Sequence, residues 1–373
     1  MDVAETHDPS AIAALCEEWT DLVERSENAT IYQTWEWNEA WWRVYGQGKR
    51  LRLITVRRAG ALIGIAPLYV SHHLGTPFRR LAFVGTGAAD YLDVIAPSDE
   101  ASAVCEAVLV HIGDVRYFDM ADLQQLRPSA ALLAAARARI AAGREHRRTM
   151  VAPQEPCPYV RLPDTWEAYG AAVGKKMRQN IGYYDRLLTR TFEDAEIRLI
   201  AGDQLDEAMD SLFDLHQQRW KARLLPGVLG GARIREFHRL VARAFHARGW
   251  LRLHITRAGG RPVAALYCFI FRRKTYYYLG GFDPALAKLS LGTVLTARAI
   301  RCAIEEGCEE FDFLRGHEPY KYRWTSDERV NSRVLVRRAG SLRSHALLRL
   351  NRVEQALEER VKALAENRGR SKR

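Results

Sequence analysis

The sequence predicts an α/β chain of the α+β kind: two tandem domains, each a mixed, mostly antiparallel sheet flanked by helices, then a C-terminal helix. Three observations carry that expectation. The chain has 373 residues, more than one compact core of ordinary size holds. Its hydrophobic content of 47%, with 9 Trp, 15 Tyr and 12 Phe, is that of a globular protein. One hairpin also recurs at an offset of 200, with identities Leu51/Leu251, Arg52/Arg252, Leu53/Leu253, Arg57/Arg257 and Gly60/Gly260. The next stretch corresponds loosely, FVGTG (Phe83–Gly87) with YLGGFD (Tyr278–Asp283), and a shared order of elements reads as duplication. The expected domains are 1–155, 156–341, and a helix with a basic tail at 342–373.

In the first domain, Ser10 to Arg25 reads as a helix with Ser10 as N-cap. In WEWNEAWWRVY (Trp35–Tyr45), Trp37, Trp41, Trp42 and Tyr45 share one helical face. That spacing predicts a buried face in preference to a stacking platform for a base or sugar. Leu51–Val70 reads as a hairpin turning at Arg58–Ala61. Two short strands are expected around the Gly85–Gly87 loop, then a helix at 98–112, a strand at Arg116–Met120 and a helix at Ser129–Ala142. Val151–Asp164 carries Pro153, Pro156, Pro158 and Pro163 and reads as the domain boundary.

The second domain repeats the plan, with a helix at 165–190, a strand at Glu196–Ile200, helices at 203–223 and 231–248, and the second hairpin. Beyond Leu342, the spacing of Leu350, Val353, Leu357, Val361 and Leu364 predicts an amphipathic helix packed on the body. A dimer contact or an acidic-membrane contact is the alternative for it.

The net charge of +11 suits an anionic partner, such as a nucleotide cofactor, a nucleic acid, a phosphorylated lipid carrier or a membrane face. An Arg-rich surface without a dedicated partner gives the same count. The 6 cysteines contain no C-x-x-C pair, which argues against a zinc ribbon or disulfide framework and for a reducing compartment. MDVAETHDPS has no apolar signal region, and no apolar run reaches the roughly 18 residues of a membrane span. The expectation is a cytoplasmic protein without a metal. The chain shows no helix-turn-helix, zinc-finger or RNA-binding aromatic signature, so no specific nucleic acid is expected.

The chemistry concentrates between Thr275 and Trp324. A strand ending in glycines (TYYYLGGFDP) leads to a helix (KLSLGTVLTARAIRCAIEEG) with Ser290 placed to cap it and Gly292 in its first turn. Free N–H groups at such a helix start form an anion site, which Lys288, Arg298 and Lys321 would reinforce. After the next strand, Asp312, His317, Glu318, Tyr320 and Lys321 fall within ten residues. Acyl transfer needs a base for the nucleophile's proton and an acid for the leaving group. Glu318 or His317 would be the base; Tyr320 or a hydroxyl of Tyr276–Tyr278 would be the acid. Asp312, flanked by Phe311 and Phe313, is expensive to bury unpaired; it reads equally as functional or, with Arg315, as a staple of the turn.

This stretch resembles the C-terminal signature of the CelD-like acyltransferases of the GNAT superfamily, named for cellulose and exopolysaccharide loci and related to the FemABX peptidyltransferases. The matching pieces are Gly292, Phe311-Asp312-Phe313-Leu314, Gly316, Glu318-Pro319-Tyr320-Lys321 and Trp324. KKMRQNIGYYDRLL (Lys175–Leu188), with Arg178 and Asn180, resembles the basic helix that FemABX members use near their substrate, and LHQQRW (Leu215–Trp220) also fits. The chain departs from the usual pyrophosphate loop, Q/R-x-x-G-x-G/A, where Val294 replaces the second small residue.

The resemblance implies two tandem GNAT-like domains with acyl-CoA, typically acetyl-CoA, as co-substrate. Its donor residues here would be Tyr278, Gly280, Gly281, Ser290, Gly292 and Thr293. Catalysis would involve Glu318, Tyr320, Lys321, Asp312 and His317. Arg178, Asn180, Arg219, Trp220, Arg315 and Trp324 would bind the acceptor, a sugar, exopolysaccharide or envelope precursor placed in a cleft between the halves. The transfer would be a direct attack by an amine or hydroxyl on the thioester, since no Ser-His-Asp or Cys-His arrangement is apparent. The first domain, lacking a counterpart of the Glu-Pro-Tyr-Lys run, would be degenerate. The alternatives are an aminoacyl-tRNA-dependent transferase of FemABX type and a non-catalytic precursor-binding protein of a polysaccharide complex.

Overall fold

The computed structural model describes residues 1–73, 75–143, 149–221, 228–337, 341–344, 346–347 and 349–350. The expected C-terminal helix from Val353 onward lies outside the described residues. The chain forms two compact units, 1–154 with 331–373, and 155–330. Both divisions fall inside strands, Thr149–Arg161 and Glu328–Arg337, the second of which the sequence reading missed.

The proline-rich stretch expected as a linker is therefore a strand. It tolerates Pro156 and Pro158 because they are needed as acceptors: their carbonyls take the N–H groups of Gly316 and Phe313, both at 2.9 Å.

In the first unit the strands run in the order Asp2–Thr6, Arg50–Arg58, Ala61–His72, Arg79–Phe83, Met120–Leu126 and Glu328–Arg337. In the second the order is Glu196–Leu199, Leu251–Ala258, Arg261–Phe271, Lys274–Phe282, Glu310–Asp312 and Thr149–Arg161. In each unit the pairings are antiparallel except one: Arg79–Phe83 with Met120–Leu126, and Lys274–Phe282 with Glu310–Asp312, are parallel. A parallel pair needs a crossover, and helices Ala101–Asp114 and Leu291–Glu305 supply it.

The duplicated hairpin repeats in register as well as in sequence. Leu51 faces Tyr69 as Leu251 faces Phe269, and a bulge falls at Val56/Arg57 as at Thr256/Arg257. Arg57 and Arg257 each donate to the carbonyl of their own turn, Gly60 and Gly260, at 3.0 Å. Counting on from these hairpins, Phe83 faces Leu68 as Tyr277 faces Cys268, and Leu81 faces Ala121 as Thr275 faces Phe311. Phe83 therefore corresponds to Tyr277, one residue before the match read from FVGTG and YLGGFD, and Asp122 corresponds to Asp312.

Several local expectations shift. The first helix is two, Ser10–Ala14 and Cys16–Arg25, and Asp8 rather than Ser10 caps the first by accepting the Ser10 N–H at 2.9 Å. Arg116–Met120 is not the strand; it starts at Met120. The second strand expected within 80–95 is a single bridge, Ile65 to Ile95. The helix at 165–190 breaks into Trp166–Ala172 and Lys175–Thr191. Trp37 and Trp41 are buried, as the helical spacing predicts.

Candidate active site

The second unit's site is built where two parallel strands part. Lys274, Thr275 and Tyr276 pair with Glu310, Phe311 and Asp312, and there the pairing ends. Lys274–Phe282 runs on past that point with a bulge between Tyr277 and Leu279. Successive strand side chains leave by opposite faces, and Tyr277, paired with Cys268 ahead of the bulge, leaves by the face opposite Tyr278. Tyr278 packs with His238, Tyr267 and Phe269. Tyr277 instead packs with Phe311, Phe313 and Tyr320. Of the Tyr276–Tyr278 run, Tyr277 is thus the one whose hydroxyl meets Tyr320.

The Tyr277 hydroxyl lies near those of Tyr320 and of Thr296 on helix Leu291–Glu305, close enough for each to act on its ionisation. Thr296 donates to the Gly292 carbonyl at 2.7 Å. Burial holds both tyrosines in their protonated form well into alkaline pH, Tyr320 the more strongly, while the Arg219 charge acts against that on each. Arg219, from helix Leu205–Lys221, donates to the Gly280 carbonyl at 3.1 Å and lies 4.8 Å over the Phe282 ring. Trp220 donates to His216 Nε2 at 2.8 Å, and burial lowers the His216 pKa to about 4.

Gly281 permits that arrangement, since a Cβ there would meet the backbone of Leu215 at 2.6 Å and of His216. Gly292 is different: a Cβ would find only Phe282, at 3.8 Å, so nothing in the protein's own packing requires glycine. Ser290 sits at the N-cap position but in a left-handed conformation (φ 48°), and its Oγ bonds Thr293 Oγ1 at 2.9 Å instead of a backbone N–H. The expected Ser290 cap is therefore not made. Among the described residues, the N–H groups of Leu291 and Gly292 meet no acceptor.

The loop after Asp312 is held from inside. Asp312, fully buried, accepts the Leu314 N–H at 2.8 Å and lies 3.6 Å from Arg329 Nη1, a basic neighbour the sequence did not suggest. Arg329 also pairs with Glu310 at 2.7 Å and stacks on Tyr159. Lys321 is 3% exposed, and its Nζ donates to the carbonyls of Leu314 (3.1 Å), Arg315 (2.7 Å) and Gly316 (3.4 Å) and pairs with Glu318 (2.9 Å). Three carbonyls converging on one ammonium explain why Leu314 and Gly316 both tolerate positive φ. Gly316 is favoured by its φ of 117°, a conformation that residues with a Cβ rarely adopt.

Glu318 stays more than half exposed. His317 is exposed; its Nδ1 donates to Tyr322 Oη at 2.8 Å, which donates to Glu328 at 2.5 Å. Trp324 is buried against Phe313. Arg178 is exposed and donates to the Gly170 carbonyl at 2.8 Å; Asn180 lies half-buried on the same helix. The geometry brings Tyr320, Glu318, Gly280, Arg219 and the 290–293 helix start into one neighbourhood. It sends Trp324 and Asp312 into the interior and leaves Tyr278 half-buried on the opposite face of the sheet. Tyr277 was one of three tyrosines the sequence left open, and Thr296 was missed because its nearness to Tyr277 depends on how the helix packs on the strand.

Burial raises the pKa of Cys268, Cys302 and Cys308, so none of the three is a ready thiolate. Among the described residues no group of three side chains could hold a metal ion, and no helix is long and apolar enough to cross a membrane.

Residues 175–322 match the family model described as Acetyltransferase (GNAT) domain. No curated protein matches the chain. Among solved structures, the chain is similar to FemX, at 10% identity and a TM-score of 0.62, over 89% of this chain and 97% of that one. It is similar to the C-terminal domain of a protein named as a lysylphosphatidylglycerol synthetase from Agrobacterium fabrum, at 13% identity and a TM-score of 0.54, over 90% and 95%. It is also similar to L-PGS from Bacillus licheniformis, at 12% identity and a TM-score of 0.53, over 95% and 99%. Together with the parted parallel strands and the crossover helix, these matches show a GNAT-like fold.

Proposed function

We propose that the chain is an acyltransferase whose second unit takes an acyl group from acyl-CoA and passes it to an amine or hydroxyl of a sugar or envelope precursor. One observation carries the reading: a helix start whose Leu291 and Gly292 N–H groups meet no acceptor among the described residues, and whose glycine the packing does not need, is tied by the Thr296–Gly292 hydrogen bond to the side chain that lies beside the Tyr277 hydroxyl. The helix start suits the donor's pyrophosphate. The edge of Leu279–Phe282 that no longer pairs with Glu310–Asp312 suits its pantetheine amides.

In the transfer, the acceptor's lone pair attacks the thioester carbonyl carbon, and its proton passes to the exposed Glu318 carboxylate directly or through water. The carbonyl re-forms as the C–S bond breaks. The departing thiolate takes the proton of Tyr320, whose hydroxyl Tyr277 orients. Lys321 and Asp312 are positioning residues in this scheme: they hold the loop that carries Glu318 and Tyr320. The raised thiol pKa values in this unit favour direct attack over an acyl-cysteine intermediate.

A second reading, transfer from aminoacyl-tRNA as in FemABX-type enzymes, draws on the likeness to FemX across nearly its whole length. Calorimetric titration with acetyl-CoA and CoA, beside Gly292→Glu, separates the two. Saturable binding lost in the variant supports the acyl-CoA reading. Absence of binding at millimolar CoA, with a folded protein, contradicts it and moves the donor to aminoacyl-tRNA.

A further inference from the structure

Arg219 is a cation with no opposite charge. It is half-buried, on the last turn of helix Leu205–Lys221. Among the described residues its one hydrogen bond goes to the Gly280 carbonyl, its Nε is buried without an acceptor, and no carboxylate pairs with it. The contrast with the rest of the unit is sharp: Arg252 pairs with Glu306, Arg261 with Asp283, and Arg329 with Glu310. Withdrawing a guanidinium from water without a partner is costly, and folded proteins avoid it unless something else supplies the anion.

The location tells where that anion belongs. Arg219 reaches Gly280, on the stretch of strand that has left its parallel neighbour, and its charge is felt at both Tyr277 and Tyr320. The Phe282 ring lies 4.8 Å from the guanidinium carbon, and with Nη1 on the Gly280 carbonyl, Nη2 has no partner among the described residues. The donor's own phosphates have the helix start at Leu291–Gly292. The anion at Arg219 is therefore a second one, beside the reacting centre.

We infer that the acceptor carries an anionic group, a carboxylate or a phosphate, close to the atom that is acylated, and that Arg219 binds it. This rests on the acyltransferase reading above and narrows it to acidic or phosphorylated acceptors. A neutral acceptor leaves the guanidinium uncompensated and loses one charge-assisted pair, about tenfold to a hundredfold in affinity.

The test keeps one sugar amine and changes only its charge. The protein loaded with CoA is titrated calorimetrically with glucosamine, glucosamine 6-phosphate and muramic acid, for the wild type, Arg219→Gln and Arg219→Lys. The expected result is that at least one of the two anionic sugars binds about tenfold or more tightly than glucosamine. That preference collapses in Arg219→Gln and is partly restored for the phosphate in Arg219→Lys. Which anionic sugar gains tells carboxylate from phosphate. The inference is overturned if the three sugars bind alike or none binds, if the preference survives in Arg219→Gln, or if the anionic sugar competes with CoA instead of adding to it. The CoA titration that precedes loading separates the outcomes: failure there removes the donor reading itself, whereas CoA binding without a charge preference removes only this inference. The melting temperature of Arg219→Gln, held to the wild-type value by the same measurement series, excludes a purely structural loss through Gly280.

Discussion

Phe83 in the first unit and Tyr277 in the second stand at the same register position, each on a strand beside the parallel pair. Phe83 is buried and ends its strand. Tyr277 is followed by a bulge and turns a hydroxyl toward Tyr320 and Thr296. The crossover helices differ in the same sense. Ala101–Asp114 is preceded by Asp99 and Glu100, with Glu100 paired to Arg58, so acidic side chains flank a helix start whose counterpart at Leu291–Gly292 has none in its first turn. Asp93 fills another helix start in the first unit, accepting the N–H groups of Ala131 (2.7 Å) and Leu132 (3.1 Å).

Asp122 and Asp312, by contrast, match in both position and environment: each is fully buried, and each lies beside an arginine, Arg333 and Arg329. A feature kept in the unit without the hydroxyl pair belongs to the scaffold. The comparison thus assigns Asp312 to holding the fold and Tyr277 to what the second unit adds.

The largest expected effect is at Lys321. Lys321→Met leaves three loop carbonyls without their donor, and unfolding by denaturant should show a loss of about 3 kcal/mol or more, with activity lost as well. A stable, inactive Lys321→Met would instead make Lys321 a participant in the chemistry. Next is the exchange that copies one unit into the other. Tyr277→Phe should lower kcat about a hundredfold with little change in melting temperature. Phe83→Tyr should cost about 1–3 kcal/mol, because its hydroxyl would be buried without a partner, and should add no activity.

The glycines give a smaller contrast. Gly281→Ala forces the helix off the strand and should cost about 1–3 kcal/mol, whereas Gly292→Ala should alter stability by less than about 1 kcal/mol. The smallest effect is in pH. Burial raises the Asp93 pKa to about 6, above the roughly 3.9 of an unfolded chain. Between those values the folded state keeps a proton that the unfolded state has lost, so stability contributed by Asp93 falls as pH rises from about 4 to 6. Asp93→Asn should make the melting temperature fall less over that window; an unchanged slope would remove Asp93 as its source.

The hairpins were legible because their alternation and glycine turns are local, and the offset of their identities carried the register with it. The helix start at Gly292 and the cluster around Glu318 and Tyr320 were legible for the same reason, each lying within one short stretch. What escaped depends on partners outside the local stretch. Asp312 meets Arg329, Arg219 meets Gly280 from 61 residues away, and which of Tyr276–Tyr278 faces the site follows from the pairing with Arg261–Phe271. Lys321 looked like a free cation in the sequence; only the left-handed turns at Leu314 and Gly316 bring three carbonyls around it.

The difference between the units is tested most directly by hydrogen–deuterium exchange of the whole chain with and without acetyl-CoA. Slower exchange should appear at Leu279–Phe282 and Leu291–Val294, with no change at Arg79–Thr86 or Ala101–Val104. Protection in both units, or in the first alone, would contradict the assignment of donor binding to the second.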